Sequence, residues 1–255
     1  MEYLYKYQSI SKENIKECRS INNLLNNNAL ISSRKKFKDE YDSKFNLLKP
    51  SYDSINGLEK FIPQDMIRKY KDLINKDGFT QDGYKLFSDL ERLLETMIDD
   101  YGIYCLTDSG LYEKMWKDYS NNHKGFCIKF HKEAFGKEFE VYPMKYQTKI
   151  AQLKIYDMIR IFFSIGKEEK LAKEIHEKLF IKLDSYEWEK EFRYIMSGKL
   201  NGKEYILKKY PREAVAEIIF GCEMKPEVKD YIIEHTNFKY TEVFKEKNSL
   251  KIVDY

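Results

Sequence analysis

Short apolar-rich runs recur along this chain, some alternating with polar residues and others, such as 102–107 and 215–221, almost continuously apolar as in a buried strand. Such alternation predicts strands, because successive side chains of a strand point to opposite faces. These runs fall at 3–7, 29–33, 102–107, 126–130, 139–146 (broken by Pro143), 186–196, 204–207, 215–221 and 238–253. Helical spacing predicts helices over 11–27, with Ser11 as cap, and over 63–76, 84–99 and 226–236. A further helix starts from Asp108 or Ser109 and runs to about Asn122. In 84–99 the apolar stripe is Leu86, Leu90, Leu93, Leu94 and Met97. The charged, amphipathic stretch 148–183 reads as a helical insertion with a hairpin at Gly166. Strands and helices do not alternate regularly enough for a doubly wound sheet. The pattern predicts one α+β domain over 1–255, built on a single mixed or antiparallel sheet.

Composition changes this picture little. The 255 residues carry a net charge of +3, too small an excess to argue for nucleic-acid binding by itself. The cysteines, at 18, 105, 127 and 222, have no metal-site or disulfide spacing. The first residues do not form a secretory signal, and no apolar run is long enough to span a bilayer. The expectation is a soluble cytosolic protein with reduced thiols and no membrane partner.

The most informative stretch is Glu189-Lys190-Glu191-Phe192-Arg193. On a strand it places Glu189, Glu191 and Arg193 on one face, and Trp188, Phe192 and Tyr194 on the other. Paired carboxylates beside an arginine can bind sugar hydroxyls and stabilise a cationic transition state. A solvated strand face has the same pattern. The second element runs from Met115 to Phe130, where Trp116, Tyr119 and His123 share one face if the helix continues.

The block Trp116-x-x-Tyr119-x-x-x-His123-x-Gly125-Phe126-Cys127-Ile128-x-Phe130 resembles the signature of a bacterial domain-of-unknown-function family. Further elements of that family are matched by Tyr5-Lys6-Tyr7, Cys105-Leu106-Thr107, Glu189-x-Glu191-x-Arg193 and Val215-x-x-Ile218-x-x-Gly221. The chain departs from the family at Phe37-Lys38-Asp39-Glu40-Tyr41-Asp42, which lacks the usual Asn and Pro. It departs again at Tyr186, where the family has tryptophan.

The order of elements also resembles that of ADP-ribosyltransferases of the Arg-Ser-Glu type. That resemblance implies NAD as co-substrate, with Lys6 holding its pyrophosphate and Thr107 bracing the site. It implies Glu191 on the ribose and Glu189 orienting or deprotonating an acceptor. Tyr119 or Tyr104 is a candidate for stacking on nicotinamide, and Arg193 and His123 complete the set. The implied function is ADP-ribosyl transfer to a protein or RNA acceptor, or NAD cleavage, in a toxin or phage-defence setting. Two rivals stand beside it, a non-catalytic binding module for a ligand or partner protein and an RNA-directed nuclease. A restriction-type nuclease wants Glu-x-Lys after an acidic residue, whereas Lys190 here lies between the carboxylates. Glycine-rich phosphate loops are absent. No metal is expected, since His123 and Cys127 are separated by Gly125. Arg34-Lys35-Lys36 is a candidate phosphate contact, and 167–182 reads as a solvated helical face.

Overall fold

The computed structural model describes residues 1–10, 14–37, 39–49, 51, 63–75, 78–154, 168–198, 200–247 and 249–255. Its strands are β1 (Tyr3–Gln8), β2 (Asn28–Ser32), β3 (Phe45–Leu48), β4 (Ile74–Asn75), β5 (Gly78–Phe79), β6 (Gly102–Thr107), β7 (Phe126–His131) and β8 (Val141–Pro143). These are followed by β9 (Lys145–Gln147), β10 (Ala151–Lys154), β11 (Ile181–Leu183), β12 (Glu191–Met196), β13 (Tyr205–Lys209), β14 (Val215–Phe220), β15 (Tyr240–Glu246) and β16 (Ser249–Asp254). The helices are α1 (Arg19–Leu25), α2 (Gln64–Leu73), α3 (Gln81–Asp99), α4 (Glu113–Tyr119), α5 (Lys132–Gly136), α6 (Glu168–Lys178) and α7 (Pro226–His235).

The fold is α+β. Ten strands form one mixed sheet in the order β13-β2-β6-β1-β7-β14-β15-β16, with β12 on β6 and β8 on β12. All its pairings are antiparallel except β14 with β15. β6 and β12 form a full ladder from Gly102↔Met196 to Thr107↔Glu191. By contrast, β1 meets β6 at one position, Tyr5↔Thr107, and β2 meets it only at Ser32↔Ile103. The sheet is therefore parted along one edge of β6.

Strand alternation sorts the core. Tyr104 and Leu106 of β6, with Phe126, Ile128 and Phe130 of β7, face a cluster completed by helices α1, α5 and α7. The opposite face carries two separate clusters. One gathers Ile103 and Ile195 with Leu94 and Ile98 of α3 and Ile175 of α6. The other is smaller and packs Tyr7, Cys127 and Ile219 around Trp116. The cavity lined by Tyr5, Tyr7, Met115 and Glu191 lies near the seam between these two.

Several sequence expectations are corrected here. The 148–183 stretch is not all helix: β10 and β11 flank α6, and the expected hairpin at Gly166 lies outside the described residues. The first helix is shorter than 11–27, with a 3-10 turn at Ile15–Glu17 and α1 beginning at Arg19; the Ser11 cap lies outside the described residues. The helix after β6 starts at Glu113 rather than at Asp108 or Ser109, because the Ser109 hydroxyl accepts from Leu111 N–H in a local turn. In α3 the buried side runs through Leu94 and Ile98, while Leu93 and Met97 are exposed. The i, i+4 row from Leu90 is what meets the core. Among the described residues no helix is long and apolar enough to cross a membrane.

The glycine of the aromatic block has a steric reason. A Cβ on Gly125 would lie 2.0 Å from the Gln8 carbonyl oxygen. Gly125→Ala is expected to cost about 1–3 kcal/mol, because backbone rather than a flexible side chain must yield. A lowered urea midpoint at unchanged slope would register it.

Candidate active site

The polypeptide between β11 and β12 brings two carboxylates to one cation. Residues Asp184–Glu189 form a 3-10 helix, ended by Lys190 in the left-handed region (φ 44°, ψ 49°). Glu189 is thus not on the strand with Glu191, as alternation predicted. A non-glycine residue there costs about 1–2 kcal/mol. In exchange, the kink turns both flanking glutamates toward Lys182. Its ammonium lies 2.5 Å from Glu189 Oε2, 2.9 Å from Glu191 Oε2 and 3.2 Å from Asp42 Oδ2. Lys182 is 6% exposed, so the solvated face expected for it is wrong. It leaves the helical pattern on β11, where the parallel pairing with β9 sets it beside Tyr146. The Tyr146 hydroxyl accepts from Glu191 N–H at 2.8 Å.

Arg193 supports this group from behind. It has no exposed surface. Its Nε donates to Glu191 Oε1 at 2.5 Å, and Nη2 donates to both Asp42 oxygens at 2.8 and 2.6 Å. Nη1 donates to Ser43 Oγ and to the Leu179 carbonyl, each at 3.0 Å. Ser43 is itself left-handed (φ 57°), and its carbonyl accepts from Arg34 Nη1 at 2.7 Å. Arg34 also pairs with Asp99 and Glu95, Lys35 with Asp99, and Lys36 with Glu204. The basic cluster Arg34-Lys35-Lys36 is therefore internally paired, and Arg34 anchors the loop that carries Asp42.

The environments push the two glutamates apart. Burial raises both. At Glu191 the charges of Arg193 and Lys182 outweigh burial and hold its carboxyl well below the ordinary range. At Glu189 burial and the neighbouring Glu191 charge prevail over Lys182, so its pKa is raised. Lys182 is raised: burial lowers it, but Glu191, Asp42 and Glu189 more than offset that. A pair of carboxyl groups displaced in opposite directions is the arrangement that divides acid and base roles.

This group borders a cavity of about 240 Å³. Tyr5, Tyr7, Phe37, Met115 and Tyr119 contribute aromatic and apolar wall. Asp42, Lys182, Glu189 and Glu191 contribute the polar side. The Tyr119 hydroxyl donates to Glu189 Oε1 at 2.8 Å. Thr107 Oγ1 donates to the Glu189 carbonyl at 2.7 Å and fixes the end of the 3-10 helix. Lys6 also borders the cavity, but its ammonium reaches across the parted edge of β6 to the Cys105 carbonyl at 2.8 Å and lies 4.5 Å from the Tyr104 ring centroid. Burial lowers its pKa.

His123 does not line this cavity. α4 ends at Tyr119, and Asn121, Asn122 and His123 are all left-handed (φ 50°, 53° and 64°). The expected i, i+3, i+7 face therefore breaks. The imidazole instead stacks on Trp116, with centroids 5.7 Å apart and planes at 8°, and its Nε2 lies 3.4 Å from Glu113 Oε1. Trp116 in turn donates Nε1–H to the Gly110 carbonyl at 2.8 Å and meets the Tyr7 ring edge-on. The block thus packs α4 on the sheet and aims Tyr119 at Glu189.

Glu189, Glu191, Lys6 and Tyr119 border one cavity, with Thr107 bonded to the Glu189 backbone and Arg193 one layer behind. Lys182 and Asp42 were missed as site residues. Asp42 had a signal, its place in the family-like loop, whereas Lys182 was hidden in a helical charge pattern.

Residues 115–194 match the family model described as "Protein of unknown function (DUF2971)". The matched stretch includes Tyr119, Lys182, Glu189, Glu191 and Arg193, while Lys6, Asp42 and Thr107 lie before it. No curated protein and no solved structure matches the chain.

Proposed function

We propose that the chain is an enzyme that breaks the N-glycosidic bond of a nucleotide, with NAD the first candidate, passing the ribosyl group to water or to another acceptor. The observation that carries this reading is the pair Glu189 and Glu191, oppositely displaced in pKa, beside an aromatic-walled cavity. In the reaction the C1′–N bond breaks and its electron pair leaves on neutral nicotinamide. Positive charge develops on the ribose, and the fixed charge of Glu191 interacts more strongly with it in the transition state than in the ground state. The acceptor oxygen bonds C1′ and gives up its proton to Glu189. A raised pKa suits Glu189 to that task, since a base is most effective when its pKa lies near the working pH.

The test is incubation with NAD and mass spectrometry of released nicotinamide across pH. As a base, Glu189 must be ionised, so the rate should rise with pH through a limb above the ordinary glutamate value of 4.5. Lys182 pulls that pKa down, so Lys182→Met should move the limb further up. A rate with no such limb, or one unmoved by the substitution, contradicts the assignment of Glu189.

A second reading, a non-catalytic binding module, is favoured by one observation. Glu191 already accepts from Arg193 and Lys182 on both oxygens. Saturable NAD binding without nicotinamide release would select it.

A further inference from the structure

We propose that the cavity recognises the base and ribose of its ligand and makes no contact with phosphate, so that its substrate class is the N-ribosides, whether or not they carry a diphosphate. This assignment rests on the glycosidic reading above and narrows it. The first support is the state of the cations. Among the described residues bordering the cavity, Lys6 is held by the Cys105 carbonyl at 2.8 Å, and Lys182 by three carboxylates. Lys36 pairs with Glu204 at 2.6 Å, but both side chains are solvent-exposed, so this bridge is weak and belongs to the outer surface. Arg193, behind them, has no exposed surface.

A phosphate entering beside the carboxylates would have to displace the pairing of Lys6 or of Lys182. It would also meet Asp42, Glu189 and Glu191, whose like charge opposes it. Sugar hydroxyls, by contrast, are donors that carboxylates accept without competition between charges. The second support is size. At about 240 Å³ the cavity, open on one side, has room for a ring with a sugar, and the rest of a dinucleotide would lie outside it. The third is the wall. Tyr5, Phe37 and Tyr119 offer aromatic surface against which a flat base can pack.

The experiment compares nicotinamide release by the full chain from nicotinamide riboside and from NAD, at low and at high salt. A contact to phosphate is charge-assisted and worth roughly tenfold or more in kcat/KM, and it weakens with salt. The expected result is a kcat/KM for the riboside within about threefold of that for NAD, a ratio that salt leaves unchanged. A preference for NAD of about tenfold or more that shrinks at high salt overturns the inference and leaves the glycosidic reading standing. Release from neither compound overturns both.

Discussion

Arg193→Met should lower the free energy of unfolding by about 3–5 kcal/mol, the largest stability effect expected of a single substitution in this site. Arg193 has no exposed surface, and its guanidinium satisfies Glu191, both oxygens of Asp42, Ser43 and the Leu179 carbonyl. Methionine fills much of the same volume but leaves three buried carboxylates, Asp42, Glu189 and Glu191, sharing one cation, Lys182. Stabilisation from the buried pair itself is small, because desolvation offsets most of the attraction. The loss comes from the charge left behind. The pH dependence follows from the sign of the Glu191 shift. In the wild type its lowered pKa contributes stability above the unfolded carboxyl range, and that contribution disappears as pH falls through the lowered value. In the variant this contribution is reduced, since only Lys182 still favours the ionised form, so the gap between the two proteins should be widest near neutrality and narrow on acidification. Urea unfolding of both proteins near neutral pH and again in acid measures it; a loss near neutrality within ±0.5 kcal/mol, the range of an ordinary surface substitution, would refute the buried network.

Glu189→Gln should behave in the opposite way, with turnover reduced by about a hundredfold or more and stability unchanged or slightly raised. Burial already disfavours the ionised form of Glu189. A neutral amide can keep both of its contacts: the carbonyl accepts from Lys182, and the NH2 donates to the Tyr119 hydroxyl, whose rotor turns to accept. What disappears is the proton acceptor. Stability and activity moving apart is the signature of a group retained for function at a cost to the fold. Parallel urea and turnover measurements read it, and a marked loss of stability with turnover intact would assign Glu189 a structural role instead.

The sheet was legible because its central strands are strongly patterned. β6 coincides with the predicted 102–107, and β7 and β14 differ from expectation by a single residue at one end. Glu191, Arg193 and Thr107 were legible for the same reason. Arg193 falls on the Glu191 face of β12, and Thr107 pairs with Glu191 in register. The failures have local causes. Left-handed backbone at Lys190 and over Asn121–His123 leaves no mark on the spacing of apolar residues, and a periodicity argument carries straight through it. That is why Glu189 was placed on a strand and His123 beside Tyr119. Lys182 was read as solvated because lysines usually are. Its burial depends on Asp42, which is distant in sequence and is brought near by Arg34 and Ser43.

The most direct test of the central claim is nicotinamide release from NAD by the wild type and by Glu189→Gln, assayed side by side with their unfolding curves. The expected result is release by the wild type, falling by about two orders of magnitude in a variant that folds equally well. No release by folded wild type, or equal release by both, would contradict it.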